Sequence, residues 1–227
     1  MLKKLVISKQ RVTDHGEVYT DKREVNAMLD LVKQETERID SRFLEPACGT
    51  GNFLTEILER KLCVVESRYK KSQLDYERNA VLAVSSIYGI DILEDNVVEC
   101  RNRLFEIFNK KYNSLFKKKA KDACRNAVRF ILEKNIIWGD ARTLKTVRDK
   151  HQPIVFSEWS PVNGSMLKRR DFAFLELLPT DRDRDLSLFS APERSLYSDL
   201  GGEAFLPSPV KDYPLTHYMR VADVEHQ

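Results

Sequence analysis

The segment from Glu45 to Phe53, EPACGTGNF, has the residue types of a turn that binds a charged ligand. Gly49 and Gly51 carry no Cβ atom, so the backbone can turn tightly there and a ligand can approach it closely. The apolar spacing after Gly51 predicts a helix, whose first backbone N–H groups are unpaired and attract a carboxylate. The side chain of Glu45 suits a cationic group. We therefore expect a ligand that carries both charges.

Two further acids follow short apolar runs, Asp91 in SIYGIDI and Asp140 in NIIWGD. A carboxylate at the end of a strand can accept hydrogen bonds from two neighbouring hydroxyl groups of a ligand. This pattern indicates two more ligand-binding positions. The structural alternatives are a helix N-cap for Asp91 and a turn for Asp140.

These residues fall between helices and strands that alternate along the chain, which predicts an α/β fold with a Rossmann-like, mostly parallel sheet and helices on both faces. Such sheets bind ligands at the carboxyl ends of their strands, where the glycine-rich turn and both acids are expected. The periodicity places strands at 42–45, 86–92, 135–140 and 153–157, and helices at 24–35, 52–61, 74–85, 96–108 and 123–133.

The charge is unevenly distributed along the 227 residues. The net charge is +3, but acids outnumber basic residues after Thr180, so the preceding part is basic. A moderately basic body permits a nucleic-acid partner without requiring one. The chain has no apolar run of the ~20 residues that a membrane span needs, and its first residues do not resemble a signal peptide. We therefore expect a cytoplasmic location and no membrane contact.

The four cysteines, Cys48, Cys63, Cys100 and Cys124, are scattered and form no CxxC pair. Zinc sites and disulfide frameworks need closer or more regular spacing. We expect no metal site, and a reducing compartment is the better match.

The glycine-rich segment resembles the first cofactor motif of amino-group DNA methyltransferases, especially the adenine-N6 enzymes of restriction-modification systems. That resemblance implies a class I methyltransferase domain that binds S-adenosylmethionine, whose methionine moiety carries an ammonium and a carboxylate. Leu54 stands where a nicotinamide-binding GxGxxG loop has its third glycine, which disfavours a dehydrogenase. The cofactor-binding residues implied here are Glu45, Ala47, Gly49, Gly51, Asn52 and Phe53.

Three other segments extend the resemblance. His15 to Thr20 is similar to the segment that lines the cofactor pocket in this group, which implies roles for Tyr19 and Thr20; Asp21 stands where the family often has proline. Ile90-Asp91-Ile92 resembles the next motif, whose acid binds the ribose hydroxyls. Gly139-Asp140-Ala141 resembles the third motif, in which the acid and the following backbone N–H bind the adenine.

The order of these motifs is similar to that of the gamma group of adenine-N6 methyltransferases. The resemblance covers about residues 10 to 178. It predicts a methyltransferase domain at 1–178 and an acidic C-terminal extension at 179–227, partly ordered or docked on the domain. Within that extension, 204–206 and 217–221 are candidates for docked strands.

The catalytic motif of such enzymes, Asn/Asp-Pro-Pro-Tyr/Phe, is absent from this chain. Two substitutes follow the predicted strand at 153–157. The stretch 160–163 keeps one proline, and 157–160 supplies an acceptor and an aromatic ring, so Ser160, Pro161 and Trp159 are the catalytic candidates. The alternative is a strand that leads into an Asn-Gly turn, with Trp159 packed in the core.

Taken together, the sequence predicts an S-adenosylmethionine-dependent adenine-N6 DNA methyltransferase subunit of a restriction-modification or related defence system. DNA is the expected substrate, and a protein partner is expected to supply target recognition because we identify no domain that would read base edges in a groove. Two alternatives stay open: a degenerate cofactor-binding module that acts as an assembly partner, and a methyltransferase that acts on RNA or protein.

Overall fold

The computed structural model describes residues 11, 20–148, 152–178, 196–197, 203–204 and 207–226. Short 3-10 turns occur at Lys117–Lys119, Phe174–Leu177, Tyr218–Arg220 and Asp223–His226. The helices are α1 (Lys22–Asp30), α2 (Lys33–Thr36), α3 (Asn52–Tyr69), α4 (Gln73–Ser85), α5 (Glu94–Phe116) and α6 (Asp122–Asn135). The strands are β1 (Phe43–Glu45), β2 (Ile87–Asp91), β3 (Ile136–Asp140), β4 (Lys145–Thr146), β5 (Val155–Asn163), β6 (Met166–Ala173), β7 (Leu196–Tyr197), β8 (Glu203–Ala204), β9 (Lys211–Asp212) and β10 (Thr216–His217).

A four-stranded sheet in the order β1-β2-β3-β4 forms the centre of the fold. The pairs β1–β2 and β2–β3 are parallel, as the sequence predicts, and β4 pairs antiparallel with the end of β3. The register aligns Glu45 with Gly89 and Asp91 with Trp138. The carboxyl ends of β1, β2 and β3 therefore lie at one edge, and each of the three ends in an acid.

The predicted fourth strand of the parallel sheet, at 153–157, is wrong in its pairing. Those residues begin β5, which forms an antiparallel hairpin with β6 through a turn at Gly164. A parallel connection needs a crossover of a dozen or more residues, usually with a helix, and the described residues between β4 and β5 contain no helix. The hairpin belongs to a separate sheet with β9 and β10.

The prediction of helices on both faces of the sheet is also wrong for the described residues. Ile87 and Ile136 on one face join the main core with the helices, whereas Tyr88 and Ile90 on the other face pack against Phe156 of the hairpin. Phe174 of a 3-10 turn completes this second cluster. Because β1, β2 and β3 are neighbours in chain order, right-handed crossovers bring the helices of both connections, α3 with α4 and α5 with α6, to the same face.

The helices α3 and α5 extend beyond the predicted ends, whereas α1 stops earlier than predicted. The side chain of Asp21 accepts a hydrogen bond from the Arg23 N–H at 2.8 Å and caps α1. In α3, Lys61 interrupts the apolar pattern but is fully buried, because its amine donates to the Ile39 carbonyl and to the Ser86 hydroxyl. Burial lowers the pKa of Lys61 to about 7. Because Lys61 is buried and its amine is hydrogen-bonded, α3 continues past the residue at which the sequence pattern predicts its end.

Residues 207–226 pack on the body of the protein, as docking of the C-terminal extension would require. β9 and β10 both pair with β6. Of the predicted strand at 217–221, only the first residue lies in a strand, as the last residue of β10. Tyr213 and Tyr218 are buried, and their hydroxyl groups bond to Asp171 and Glu77. Of the stretch 204–206, Ala204 lies in the ladder of β7 and β8, and the next two residues lie outside the described ones. The boundary at 178 stays a prediction.

The described residues include neither a helix that could span a membrane nor a cluster of metal ligands. None of their helices is long and apolar enough to cross a lipid bilayer. No group of three or more histidine, cysteine or acidic side chains among them is placed to hold a metal ion.

Glu77 joins the C-terminal segment to three helices from a fully buried position. Its carboxylate accepts hydrogen bonds from the hydroxyls of Tyr112 and Tyr218 (the latter at 2.7 Å), from Gln73 at 2.7 Å and from the Lys121 amine at 3.1 Å. Burial raises the pKa of Glu77, but these donors outweigh it and hold the pKa below its ordinary value. The network is therefore stabilising when Glu77 is ionised.

We predict that Glu77→Gln lowers the free energy of unfolding at neutral pH by about 1–3 kcal/mol, because two hydroxyls and an amine lose their charged acceptor. Since the folded pKa lies below the unfolded value, this contribution is complete above the unfolded pKa and disappears as pH falls through the folded pKa. Urea unfolding between pH 3 and pH 7 should show a flatter acid limb for the variant. Glu99→Gln, at an exposed position of α5, is the control, and equal losses in both variants would contradict the prediction.

Candidate functional site

The glycine-rich loop joins β1 to α3 at the carboxyl edge of the sheet. Gly49 and Gly51 have φ values of 52° and 85°, a region that favours glycine, and Gly51 is the N-cap of α3. The Gly51 N–H donates to the Cys48 carbonyl at 2.8 Å, and the Cys48 N–H donates to the Ile90 carbonyl at 2.8 Å. The loop is therefore a tight turn that is tied to β2, which is the shape that the sequence predicts.

Asp91 is buried at the end of β2 and faces this loop. Its Oδ2 accepts the Gly49 N–H at 2.8 Å, and its Oδ1 accepts the Leu93 N–H at 2.9 Å and the Asn96 amide at 3.2 Å. The carboxylate thus holds the loop with one oxygen and the entry to α5 with the other. Asp91 lies beside the glycine-rich loop, as predicted, but it is not the N-cap that was its structural alternative, because Leu93 is the N-cap of α5.

The back of the loop is closely packed against α5. A Cβ atom on Gly51 would lie 2.6 Å from the Cys100 sulfur. The side chains of Cys48 and Cys100 are both buried, and their contact, together with burial, holds the pKa of the Cys48 thiol far above its ordinary value. Both side chains are therefore packing groups behind the loop, and the loop has no space for a larger residue at Gly51.

Glu45 ends β1 and is half-buried beside the loop. The Ala47 N–H donates to Glu45 Oε1 at 3.4 Å, and burial is the main reason that the pKa of Glu45 is raised. Glu45 and Phe53 line a cavity of about 220 Å³ between α1, β1 and α3. Ala47 itself is exposed on the turn. These three predicted residues are thus grouped on the β1 side of the loop.

Asp140 ends β3 and organises a turn. Its Oδ1 accepts the Arg142 N–H at 2.8 Å, and its Oδ2 accepts the Thr143 hydroxyl at 3.1 Å. These bonds, chiefly that from Arg142, lower the pKa of Asp140, so it is ionised at neutral pH. Ala141 follows it and packs at the margin of the second-face cluster. The turn that was the alternative interpretation of Asp140 is present.

Ile92 and Trp138 lie between the two strand-end acids. The indole N–H of Trp138 donates to the Ile92 carbonyl at 2.9 Å. The side chain of Ile92 is 46% exposed at this edge of the sheet. An apolar surface between Asp91 and Asp140 suits the face of a planar ring. The sequence pattern did not identify Trp138 as a site residue.

Asn52 connects the loop to the segment that precedes α1. Its amide Nδ2 donates to the Thr20 carbonyl at 3.2 Å. Tyr19, the other residue predicted in that segment, lies outside the described residues. The structure therefore brings Thr20 to the glycine-rich loop.

Arg103 is a contact of the loop that the sequence analysis missed. From α5, its Nη1 atom donates to the Thr50 carbonyl at 2.6 Å, to the Thr50 hydroxyl at 3.0 Å and to Asn52 Oδ1 at 3.0 Å. A signal was available: Asn96, Cys100 and Arg103 share one face of α5 at helical spacing, and all three touch the loop or Asp91. Only the apolar stripe of this helix was followed in the sequence.

The catalytic candidates Trp159, Ser160 and Pro161 lie elsewhere. The indole of Trp159 is buried and donates at 3.1 Å to the side chain of Asn135, which immediately precedes β3. All three candidates line a cavity of about 510 Å³ at the amino ends of the parallel strands. The five residues of β2 separate the two edges by ~13 Å, so the structure does not bring these candidates together with the cofactor loop.

Comparison with known families adds an independent finding. A family model described as MmeI, DNA-methyltransferase domain, matches residues 19–150, more than half of the chain. The chain belongs to this family. The match supports a restriction-modification DNA methyltransferase, and it includes the glycine-rich loop, Asp91 and Asp140 but ends before the β5–β6 hairpin. No curated protein matches the chain.

We predict that Gly51→Ala lowers the free energy of unfolding by about 2–4 kcal/mol. The left-handed backbone costs an alanine about 1–2 kcal/mol, and contact with the Cys100 sulfur adds the cost of overpacking. Gly164→Ala is the matched control, because its φ of 53° carries the same backbone cost but its Cβ would approach only Arg78, at 3.6 Å. Denaturant unfolding measures both variants.

A double variant separates the two costs of Gly51→Ala. Removing the sulfur with Cys100→Ala should make Gly51→Ala less destabilising than it is in the wild-type background. An identical cost in the two backgrounds would show that the close packing against α5 is not what excludes a side chain from the loop.

Proposed function

We propose that this protein binds S-adenosylmethionine at the carboxyl edge of β1, β2 and β3 and methylates adenine N6 in DNA. The observation that carries the proposal is the hydrogen bond between Asp91 and the Gly49 N–H, which brings a strand-end acid and a glycine-rich loop into one site. The family match supports the DNA methyltransferase class. The cofactor and the target atom are the proposed part.

The described residues fit such a cofactor at both of its ends. The first turn of α3 has no acidic residue and no side-chain cap, so its unpaired N–H groups favour an anion such as the methionine carboxylate. Glu45 supplies the negative charge for the ammonium. Asp91 has the acceptor oxygens for the ribose hydroxyls, and Asp140 with the Ala141 N–H would bind the adenine edge. The exposed side chain of Ile92 would contact the adenine ring.

The bound cofactor would supply an activated methyl group, so the protein needs chiefly to position its substrates and exclude water. The hydrogen bonds that tie the loop to Asp91 and to β2 give a fixed surface for this purpose. A protein partner would complete the site by bringing the target base to it. We propose that the same partner supplies the target recognition that the described domain lacks.

A second candidate function is a cofactor-binding module that does not catalyse transfer by itself. The position of Trp159 at the opposite edge of the sheet favours it, as does the absence of an Asn/Asp-Pro-Pro-aromatic segment from the chain. In this case the partner would contribute the groups that hold the amine of the target base. The two candidates share one cofactor site and differ only in turnover.

The proposed cofactor site makes a prediction about binding, which is measured by titration calorimetry with S-adenosylhomocysteine and, separately, with NAD. S-adenosylhomocysteine should bind and NAD should not. Asp91→Asn should weaken the binding by about 10- to 100-fold, since hydrogen bonds to a charged acceptor contribute about 1.5–3 kcal/mol. Asp122→Asn, at an exposed position at the start of α6, is the control. Tighter binding of NAD would reject the proposed cofactor.

Turnover is the second prediction, measured as label transferred from radiolabelled cofactor to DNA and identified as N6-methyladenine. Trp159→Phe should leave the rate within about threefold of the wild type, because this ring packs at the far edge of the sheet and a conservative swap there perturbs the site little. A loss of turnover with normal folding and normal cofactor affinity would instead make Trp159 a base-stacking residue. Label on RNA or protein alone would overturn the DNA substrate.

A further inference from the structure

Three residues on one face of α5 fix the site at three successive points. Asn96 bonds to Asp91, Cys100 packs against Gly51, and Arg103 bonds to Thr50 and Asn52. The spacing of four and three residues places them in line along the helix. Two of these contacts are ordinary parts of a folded core, but the third places a charged guanidinium at a loop that needs no charge for its own stability.

The bonds of Arg103 determine how the Asn52 amide is oriented. Because Arg103 donates to Oδ1 at 3.0 Å, the Nδ2 group of Asn52 points away from it and donates to the Thr20 carbonyl at 3.2 Å. Arg103 also holds the Thr50 carbonyl at 2.6 Å. One side chain thus connects the glycine-rich loop to the segment that leads into α1, and both are predicted to line the cofactor site.

The electrostatics of this position point to an anion. Arg103 lies at the N-terminus of α3, the positive end of an 18-residue helix, where a cation is unfavourable and an anion is favourable. The first turn of α3 carries no acid that would offset it. Within the described part of the chain, the hydrogen bonds of Arg103 all come from its Nη1 atom and all go to neutral oxygens. The helix N-terminus and Arg103 therefore both contribute positive potential on the side where a carboxylate would lie.

We propose that Arg103 is a positioning residue for the amino-acid end of the cofactor. It holds Thr50 and Asn52 so that the loop amides face the carboxylate, and its charge favours that carboxylate over a neutral group. This inference rests on the proposed cofactor. Beyond that proposal, Arg103, a residue outside the loop, would discriminate between ligands that have the amino-acid end and ligands that lack it.

The test compares two probes by calorimetry on the full chain: S-adenosylhomocysteine, which has the amino-acid end, and 5′-methylthioadenosine, which lacks it. Arg103→Met should weaken S-adenosylhomocysteine by about 10- to 100-fold and change 5′-methylthioadenosine by less than about threefold. Arg103→Lys keeps the charge but not the fixed, planar direction of the N–H donors, so its affinity for S-adenosylhomocysteine should fall between those of the wild type and Arg103→Met. Lys110→Met, an exposed cation on the same helix, should bind both probes as the wild type does.

A second variant keeps the test independent of the folding of Arg103→Met. Asn52→Ala removes one acceptor of Arg103 and the donor to Thr20, so it should also weaken S-adenosylhomocysteine selectively. Combined with Arg103→Met, its effect should be less than additive, because the two residues act through one contact.

The outcomes separate this inference from the proposed function. Wild-type affinity for S-adenosylhomocysteine in Arg103→Met would overturn the inference. Equal losses for both probes, accompanied by a lower melting temperature, would make Arg103 merely structural and would overturn it as well. If the wild-type chain binds neither probe, the proposed cofactor fails first, and the role of Arg103 fails with it.

Discussion

The hydrogen bond from the Gly49 backbone N–H to the Asp91 carboxylate joins two parts of the chain that are 42 residues apart. It depends on a left-handed backbone at Gly49 and Gly51, which places the amide toward β2 instead of along the helix. The other oxygen of Asp91 accepts from the residues that begin α5. One buried carboxylate therefore fixes the positions of the loop and of the start of α5. The other parts of the proposed site are arranged around it.

The order of the strands explains why the helices support the proposed site from one face of the sheet. β1, β2 and β3 are neighbours in both sequence and space, so their connecting helices share a face and pack the main core. The same parallel direction places Glu45, Asp91 and Asp140 at one edge. Arg103 reaches that edge from α5, within the helix layer, and the C-terminal segment is fixed well away from it through Glu77 and Tyr218. In α5, the buried network at Tyr112 and the proposed site contacts of Asn96 and Arg103 thus lie at different ends of one helix.

The local turns and the parallel pairing of β1, β2 and β3 were predictable from the sequence, and the pairing of β5 was not. The turn at Gly49 and Gly51 and the strands that end in Asp91 and Asp140 follow from residue types and periodicity, because glycine conformations and strand alternation are local properties. The hairpin of β5 and β6 was mistaken for a parallel strand, since an apolar run such as Ile154 to Phe156 does not specify its partner. Arg103 was missed because the polar face of an amphipathic helix is normally solvent-exposed, and only the fold shows that this face meets the loop.

A crystal structure of the protein with S-adenosylhomocysteine would test the proposed site most directly. We predict that the ligand lies at the carboxyl edge of β1 to β3, with its amino-acid end at the first turn of α3, its ribose at Asp91 and its adenine beside Ile92. A ligand bound instead at the amino edge beside Trp159, or a ligand whose ribose makes no contact with Asp91, would contradict it.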